Sequence, residues 1–166
     1  MLLKSIGCIL IMFSSVQIGL NYIKNIKSRE NALCEIYEFI NIIKIKTTYE
    51  LCDLPDVFRK FSDKYLIADY TSKYLNDGNT LKTAWNRSVD EYAEKKHLKP
   101  EDIKLLKDFS VCLGQTDIEG QISNFDMYLK FIENSKDEAK NEIVNKSKVI
   151  FSTSIFAGLL VSILVI

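Results

Sequence analysis

Each end of the chain carries a long apolar segment without an acidic residue, and these two segments constrain the fold more than any other feature. The first covers residues 2–20, with Lys4 as its one charge, and the second covers residues 149–166 with none. A helix rises about 1.5 Å per residue, so segments of this length cover most of a hydrocarbon core about 30 Å thick. The sequence therefore predicts transmembrane helices at 1–20 and 149–166, with one domain at 21–148 between them.

The apolar segments have other interpretations, which the sequence favours less. A cleaved signal peptide would end in small residues, but Asn21 and Tyr22 follow the first segment and continue its helical pattern. A lipoprotein signal ending at Cys8 would leave too few residues before the cysteine for an apolar region. The second segment could be a buried core helix, but its complete lack of charge argues for a membrane span.

Basic residues beside both segments predict the orientation of the chain. They lie on the side of residues 21–148, and positive flanks face the cytoplasm. We therefore expect this domain in the cytoplasm and both termini outside. The flanking basic residues are Lys24, Lys27, Arg29, Lys140, Lys146 and Lys148.

The middle region has the periodicity of an all-α antiparallel helical bundle of about six helices. Leu33, Ile36, Ile40 and Ile43 recur at helical spacing, which predicts a long helix continuing from the first segment to about Leu51. Shorter helices are predicted at 56–64, 68–75, 80–96 and from residue 100. A capping box at 116–119 opens a last long helix that runs into the second segment.

The sequence contains no recognisable catalytic, cofactor-binding or metal-binding pattern. Its single histidine, His97, follows two lysines near a predicted helix end, and its cysteines have no CxxC spacing. No glycine-rich phosphate-binding loop occurs. Residues 21–148 carry 21 basic and 22 acidic side chains, since Lys4 is the one ionisable residue outside them. We therefore expect no enzyme, no cofactor and no nucleic-acid partner.

Four short stretches carry a family resemblance, at residues 1–7, 78–85, 113–121 and 156–160. The third, Leu-Gly-Gln-Thr-Asp followed at position 121 by Gln, is the most specific. With the paired terminal segments, they resemble the stage III sporulation protein AB family over nearly the whole chain. That family is similar to the F-type platform protein of type II secretion, so the resemblance implies that platform's six-helix fold.

The resemblance also implies a function, a location and partners. It implies a non-enzymatic platform in the channel complex between mother cell and forespore, placed in the outer forespore membrane and facing the mother-cell cytoplasm. The implied partners are a secretion-type ATPase and ring-forming channel proteins of the same complex. The chain could also form a homo-oligomer. The alternative is a membrane-anchored helical adaptor or sensor unrelated to secretion.

One loop is the candidate for partner contact, because a corner between two helices presents polar groups on a rigid frame. Gly114 is predicted to end the helix before it. The candidate partner-interaction corner consists of Leu113, Gly114, Gln115, Thr116, Asp117 and Gln121.

Overall fold

The computed structural model describes residues 2–113 and 118–165, and it confirms the all-α fold. No strand occurs within these two ranges. The helices are α1 (Leu2–Thr48), α2 (Leu54–Lys60), α3 (Leu66–Asn76), α4 (Leu81–Lys96), α5 (Pro100–Phe109) and α6 (Ile118–Val165).

The chain forms two compact units. The terminal unit contains Met1–Ser28 and Glu138–Ile166, and the bundle unit contains Arg29–Asp137. Helices α1 and α6 run without a break through both, as the absence of helix-breaking residues predicts. The membrane boundaries near residues 20 and 149 stay predictions.

Helix α1 ends three residues earlier than the sequence indicates. It stops at Thr48 instead of Leu51, whose backbone adopts a left-handed conformation with φ of 51°. The Thr47 hydroxyl donates to the Ile43 carbonyl, and the Cys52 N–H donates back to the Lys46 carbonyl, which closes the helix end. The sequence carries no glycine here, so the early stop was not predictable from the usual C-terminal signal.

The second helix also begins earlier than predicted, at Leu54 instead of Asp56. The prediction used Pro55 as a stop for the preceding helix, whereas the structure places it in the first turn of α2. Proline fits that position because the first backbone N–H groups of a helix have no intrahelical acceptor. The Asp53 carbonyl accepts the N–H groups of Asp56 and Val57.

The remaining short helices begin close to the predicted positions, but α5 ends at Phe109, well before the predicted C-cap at Gly114. Gly78 has a φ of 84° in the predicted turn, and the Thr80 hydroxyl caps α4 by accepting the Thr83 N–H. His97 ends α4 in a left-handed conformation and is exposed, as a solvated helix end predicts. Pro100 opens α5, as predicted.

A row of aromatic rings forms the core of the bundle unit and joins five of its helices. Its ring centroids lie 5.5–5.9 Å apart from one member to the next. Trp85 is fully buried in this row, which confirms its predicted inward position, and its indole N–H donates to the Leu106 carbonyl at 2.6 Å. The members of the row, in order, are Phe39, Phe58, Trp85, Phe109 and Phe125.

A buried ion pair ties α1 to α5. The Arg29 guanidinium donates to both carboxylate oxygens of Asp102, at 2.7 and 3.0 Å, and the two residues are 3% and 1% exposed. Asp102 also accepts the Lys99 N–H at the start of α5. Arg29, predicted from the sequence as a membrane-flanking charge, is instead an interior residue of the bundle unit.

In the terminal unit, α1 and α6 contact each other through small residues. The Ser15 hydroxyl donates to the Ser154 carbonyl, and Ser154 donates in turn to the Ile150 carbonyl. Gly19 lies against Ser154, and Gly158 lies against Ser15. Each helix therefore presents a serine and a glycine four positions apart, a spacing that lets two backbones approach closely.

We expect Gly19→Val to separate these two segments. A Cβ at position 19 would lie 2.9 Å from the Ser154 Cβ, which forces a shift. Oxidation of a cysteine-free chain carrying Ser15→Cys and Ser154→Cys should form a disulfide, and Gly19→Val should reduce its yield. Gly7→Val is the matched control, because no described atom lies within 4 Å of a Cβ there. Equal yields in both variants would contradict the close contact.

Candidate functional site

The predicted partner-interaction corner is only partly within the described residues. Gly114, Gln115, Thr116 and Asp117 lie outside them, together with the side chain of Glu119 from the predicted capping box. Leu113 is half-buried, and its N–H donates to the Ser110 carbonyl. Gln121 is 8% exposed in the first turns of α6, so little of its side chain is available to a partner. The role of the corner stays a prediction.

Two contacts between α1 and α6 define the relative direction of these helices in the bundle unit. Lys136 lies over the Tyr37 ring, 4.7 Å from its centroid, and Lys44 pairs with Asp126. Lys44 follows Tyr37 along α1, whereas its contact Asp126 precedes Lys136 along α6. The two helices are therefore antiparallel in the bundle unit. The end of α1 at Thr48 therefore lies beside the beginning of α6, where the corner joins.

This end of the bundle exposes apolar side chains. Tyr49 and Leu51 follow α1 and are 72% and 74% exposed, and Val111 follows α5 and is 58% exposed. We call these three residues the corner-end surface. Large exposed apolar side chains grouped at one end of a domain are typical of a protein contact.

Within the corner-end surface, the backbone at Leu51 adopts a left-handed conformation that neighbouring hydrogen bonds support. A left-handed conformation costs a leucine on the order of 1 kcal/mol, and it persists where neighbouring contacts impose it. At Leu51 those contacts are the hydrogen bonds of Tyr49 to the Ile45 carbonyl and of Cys52 to the Lys46 carbonyl. Leu51 is thus presented to solvent on a fixed frame.

The chemistry of the described residues is that of a packed domain. No group of three or more metal-ligating side chains occurs among them. The sequence predicts Cys34, Cys52 and Cys112 as small core residues. Cys112 is buried, and burial raises the pKa of its thiol, which keeps it protonated at neutral pH. Cys34 and Cys52 are only half-buried.

The strongest pKa perturbation also belongs to the core. Burial, with Glu35 as a lesser cause, raises the pKa of Tyr92, whose hydroxyl donates to the Ala32 carbonyl. This tyrosine is fully buried, so it holds α4 against α1 and is inaccessible to a substrate.

A cavity on the bundle surface is small and polar. It has a volume of about 300 Å³ and is lined by Tyr70, Glu91, Glu94 and Lys95. An exposed apolar groove away from the corner would favour the adaptor alternative, whereas three of the four residues that line this cavity are charged.

One helix in the described part of the chain is long and apolar enough to span a membrane. It is the stretch Gly120–Ile163 of α6, whose most apolar window has a mean hydropathy of 1.4 and is 11% buried. Part of the first predicted anchor, including Lys4 and Cys8, lies outside the described side chains.

Sequence and structure comparisons agree on a family. The family model described as stage III sporulation protein AB matches residues 4–166. The chain is 21% identical to stage III sporulation protein AB of Bacillus subtilis (strain 168), over 98% of this chain and 99% of that protein. A solved structure of a stage III sporulation protein AB has a TM-score of 0.64 at 20% identity, covering 70% of this chain and 96% of the solved one.

The last comparison shows that most of the chain has the same fold as the solved protein. The family match covers the bundle unit and most of both terminal segments. The apolar stretch of α6 and the family together indicate a membrane-associated component of sporulation. The chain belongs to the stage III sporulation protein AB family.

Proposed function

We propose that the chain is a non-enzymatic platform of the sporulation channel complex between mother cell and forespore. It would use both terminal segments as anchors in the outer forespore membrane and hold the bundle in the mother-cell cytoplasm. Its role resembles that of the inner-membrane platform proteins of secretion systems, which connect a cytoplasmic motor to membrane rings through contacts alone. The partners in this proposal are a secretion-type ATPase and ring-forming channel proteins.

The observation that carries the proposal is the corner-end surface. Tyr49, Leu51 and Val111 expose large apolar side chains. A platform of this kind needs a docking surface and no reactive group. In the sequence, the predicted corner at 113–117 begins two residues after Val111.

Substitution of one exposed valine tests the docking role. Val111→Asp is expected to reduce capture of the ATPase or of the ring-forming proteins about tenfold, because a charge in an apolar contact loses at least about 1.4 kcal/mol. The measurement is a pulldown of the tagged full chain from detergent-solubilised membranes of sporulating cells.

The matched control is Val144→Asp, since Val144 is a valine of similar exposure, 66%, on α6 outside the corner-end surface. It should capture the partners as well as the unchanged chain does. Failure of the unchanged chain to bind any of these proteins would overturn the platform proposal. If Val111→Asp and Val144→Asp reduce partner capture equally, the corner-end surface is not the docking surface.

Topology is the second test of the proposal. Single cysteines at the N-terminus, at Asn79 and after Ile166 are introduced into a cysteine-free chain and treated with a membrane-impermeant thiol reagent in intact cells. We expect labelling at both ends and none at Asn79, because the lysines that flank both segments favour the cytoplasmic side. Labelling at Asn79 would place the bundle where no cytoplasmic ATPase could reach it.

A further inference from the structure

An open groove runs along one side of the contact between α1 and α6 in the terminal unit. It consists of two adjoining cavities of about 470 and 340 Å³. Both cavities are lined by Ile18, Val149, Ile150 and Ser154. The first cavity extends to Tyr22, Asn145 and Lys146, and the second extends in the other direction to Ala157.

Small residues lie where the two helices meet beside this groove. Gly19 and Ser154 both line the first cavity, and the Ser154 hydroxyl donates to the Ile150 carbonyl of its own helix. The walls are apolar and open, with Ile18 71% and Val149 62% exposed. An apolar chain can therefore lie in the groove and cover both walls.

The length of the groove matches one leaflet of a bilayer. From Lys146 to Ala157 the helix rises about 16 Å, and half of a hydrocarbon core is about 15 Å thick. One acyl chain of a phospholipid extends over this depth. The groove would thus accommodate a single chain from its headgroup end to the bilayer centre.

One end of the groove is polar and positively charged. Lys146 pairs with Glu142 at 2.7 Å, but its side chain is 54% exposed, and an ammonium group has three protons to donate. Asn145 and Tyr22 lie at the same end, and tyrosine is common at the membrane interface. Residues 21–28 and 138–148 together carry five lysines and two glutamates, an excess that attracts anionic headgroups.

We propose that this groove binds one anionic phospholipid. Its acyl chain lies along Ile18, Val149 and Ile150, and its phosphate accepts hydrogen bonds from Lys146 and its polar neighbours. The proposal rests on the membrane insertion described above, which the cysteine-labelling experiment tests separately. A failure of lipid binding would leave that topology and the platform role intact.

Native mass spectrometry of the full chain tests the proposal. The protein is purified in detergent with phosphatidylglycerol or with phosphatidylcholine of the same acyl chains, and the detergent is then removed in the gas phase. We expect one retained phosphatidylglycerol and at least about fivefold less phosphatidylcholine, since one lysine near a lipid surface contributes about that factor. Equal retention of the two lipids, or retention of neither, would overturn the proposal.

Substitution of two lysines in turn distinguishes a specific headgroup contact at Lys146 from general attraction of anionic lipid by positive charge. Lys146→Gln should abolish the preference for phosphatidylglycerol, whereas Lys148→Gln removes the same charge outside the groove lining and should preserve it. Equal losses in the two variants would show general attraction and would contradict a site.

Because Lys146→Gln leaves Glu142 without this partner, the double variant Glu142→Gln with Lys146→Gln is the second test. It removes both charges of the ion pair and should also lose the preference for phosphatidylglycerol over phosphatidylcholine. Retention of phosphatidylglycerol by the double variant would overturn the assignment of Lys146.

Discussion

Asp102→Ala is expected to lower the free energy of unfolding of the bundle by about 3–5 kcal/mol, because it removes a carboxylate that accepts two hydrogen bonds from the buried Arg29 guanidinium. The pair is bidentate and nearly inaccessible to solvent, so the lost charge interaction lies in the interior of the bundle. Urea unfolding followed by the fluorescence of Trp85 measures the effect, since this is the only tryptophan and lies in the bundle core.

Glu101→Ala is the matched control for this variant. Glu101 is the preceding residue of the same helix and is exposed, so its loss should change stability by no more than about 0.5 kcal/mol. The double variant Arg29→Met with Asp102→Leu should be more stable than Asp102→Ala, because it removes both charges from the interior. Equal unfolding midpoints for Asp102→Ala and Glu101→Ala would contradict a stabilising role for the pair.

Trp85→Ala is expected to cost about 3–5 kcal/mol, through the cavity left by the largest side chain of the core. The indole contacts Phe58 and Phe109, at centroid distances of 5.9 and 5.5 Å, and its N–H is bonded to the Leu106 carbonyl. Its removal interrupts the aromatic row between α2 and α5. Thermal unfolding of the full chain in detergent, followed by circular dichroism, measures the effect.

Tyr49→Ala is the control for the loss of an aromatic side chain at an exposed position. Its melting temperature should stay close to that of the unchanged chain. Trp85→Phe keeps a ring in the core and loses the hydrogen bond, so it should fall between the two. A melting temperature for Trp85→Ala equal to that of Tyr49→Ala would show that the indole does not stabilise the core.

Local sequence patterns were enough to predict most of the helices. The 3.6-residue period places Leu33, Ile36, Ile40 and Ile43 on one face of α1, and all four are buried. Turn and capping residues predicted the beginnings of α4 and α5, because those signals act over a few neighbouring residues. The end of α1 was missed because its left-handed residue is a leucine, for which no sequence signal exists.

The candidate site was predicted less completely than the fold. The corner at 113–117 was chosen for its sequence, but Tyr49 and Leu51 were assigned to a helix or its end. Only the early stop of α1 and the antiparallel pairing with α6 bring them to the same end of the bundle as Val111. When backbone hydrogen bonds alone close the C-terminus of a helix, the residue types at that position do not reveal where the helix ends.

The sequence by itself determined the two apolar segments and the helical middle domain, which follow from composition and periodicity that each segment carries alone. The family was indicated by a resemblance in four short stretches, at residues 1–7, 78–85, 113–121 and 156–160. Tertiary structure decided that Arg29 pairs with Asp102, 73 positions away, and that Gly19 and Ser154 face each other across two helices. Such contacts depend on which faces of distant helices meet, and short-range patterns do not encode that geometry.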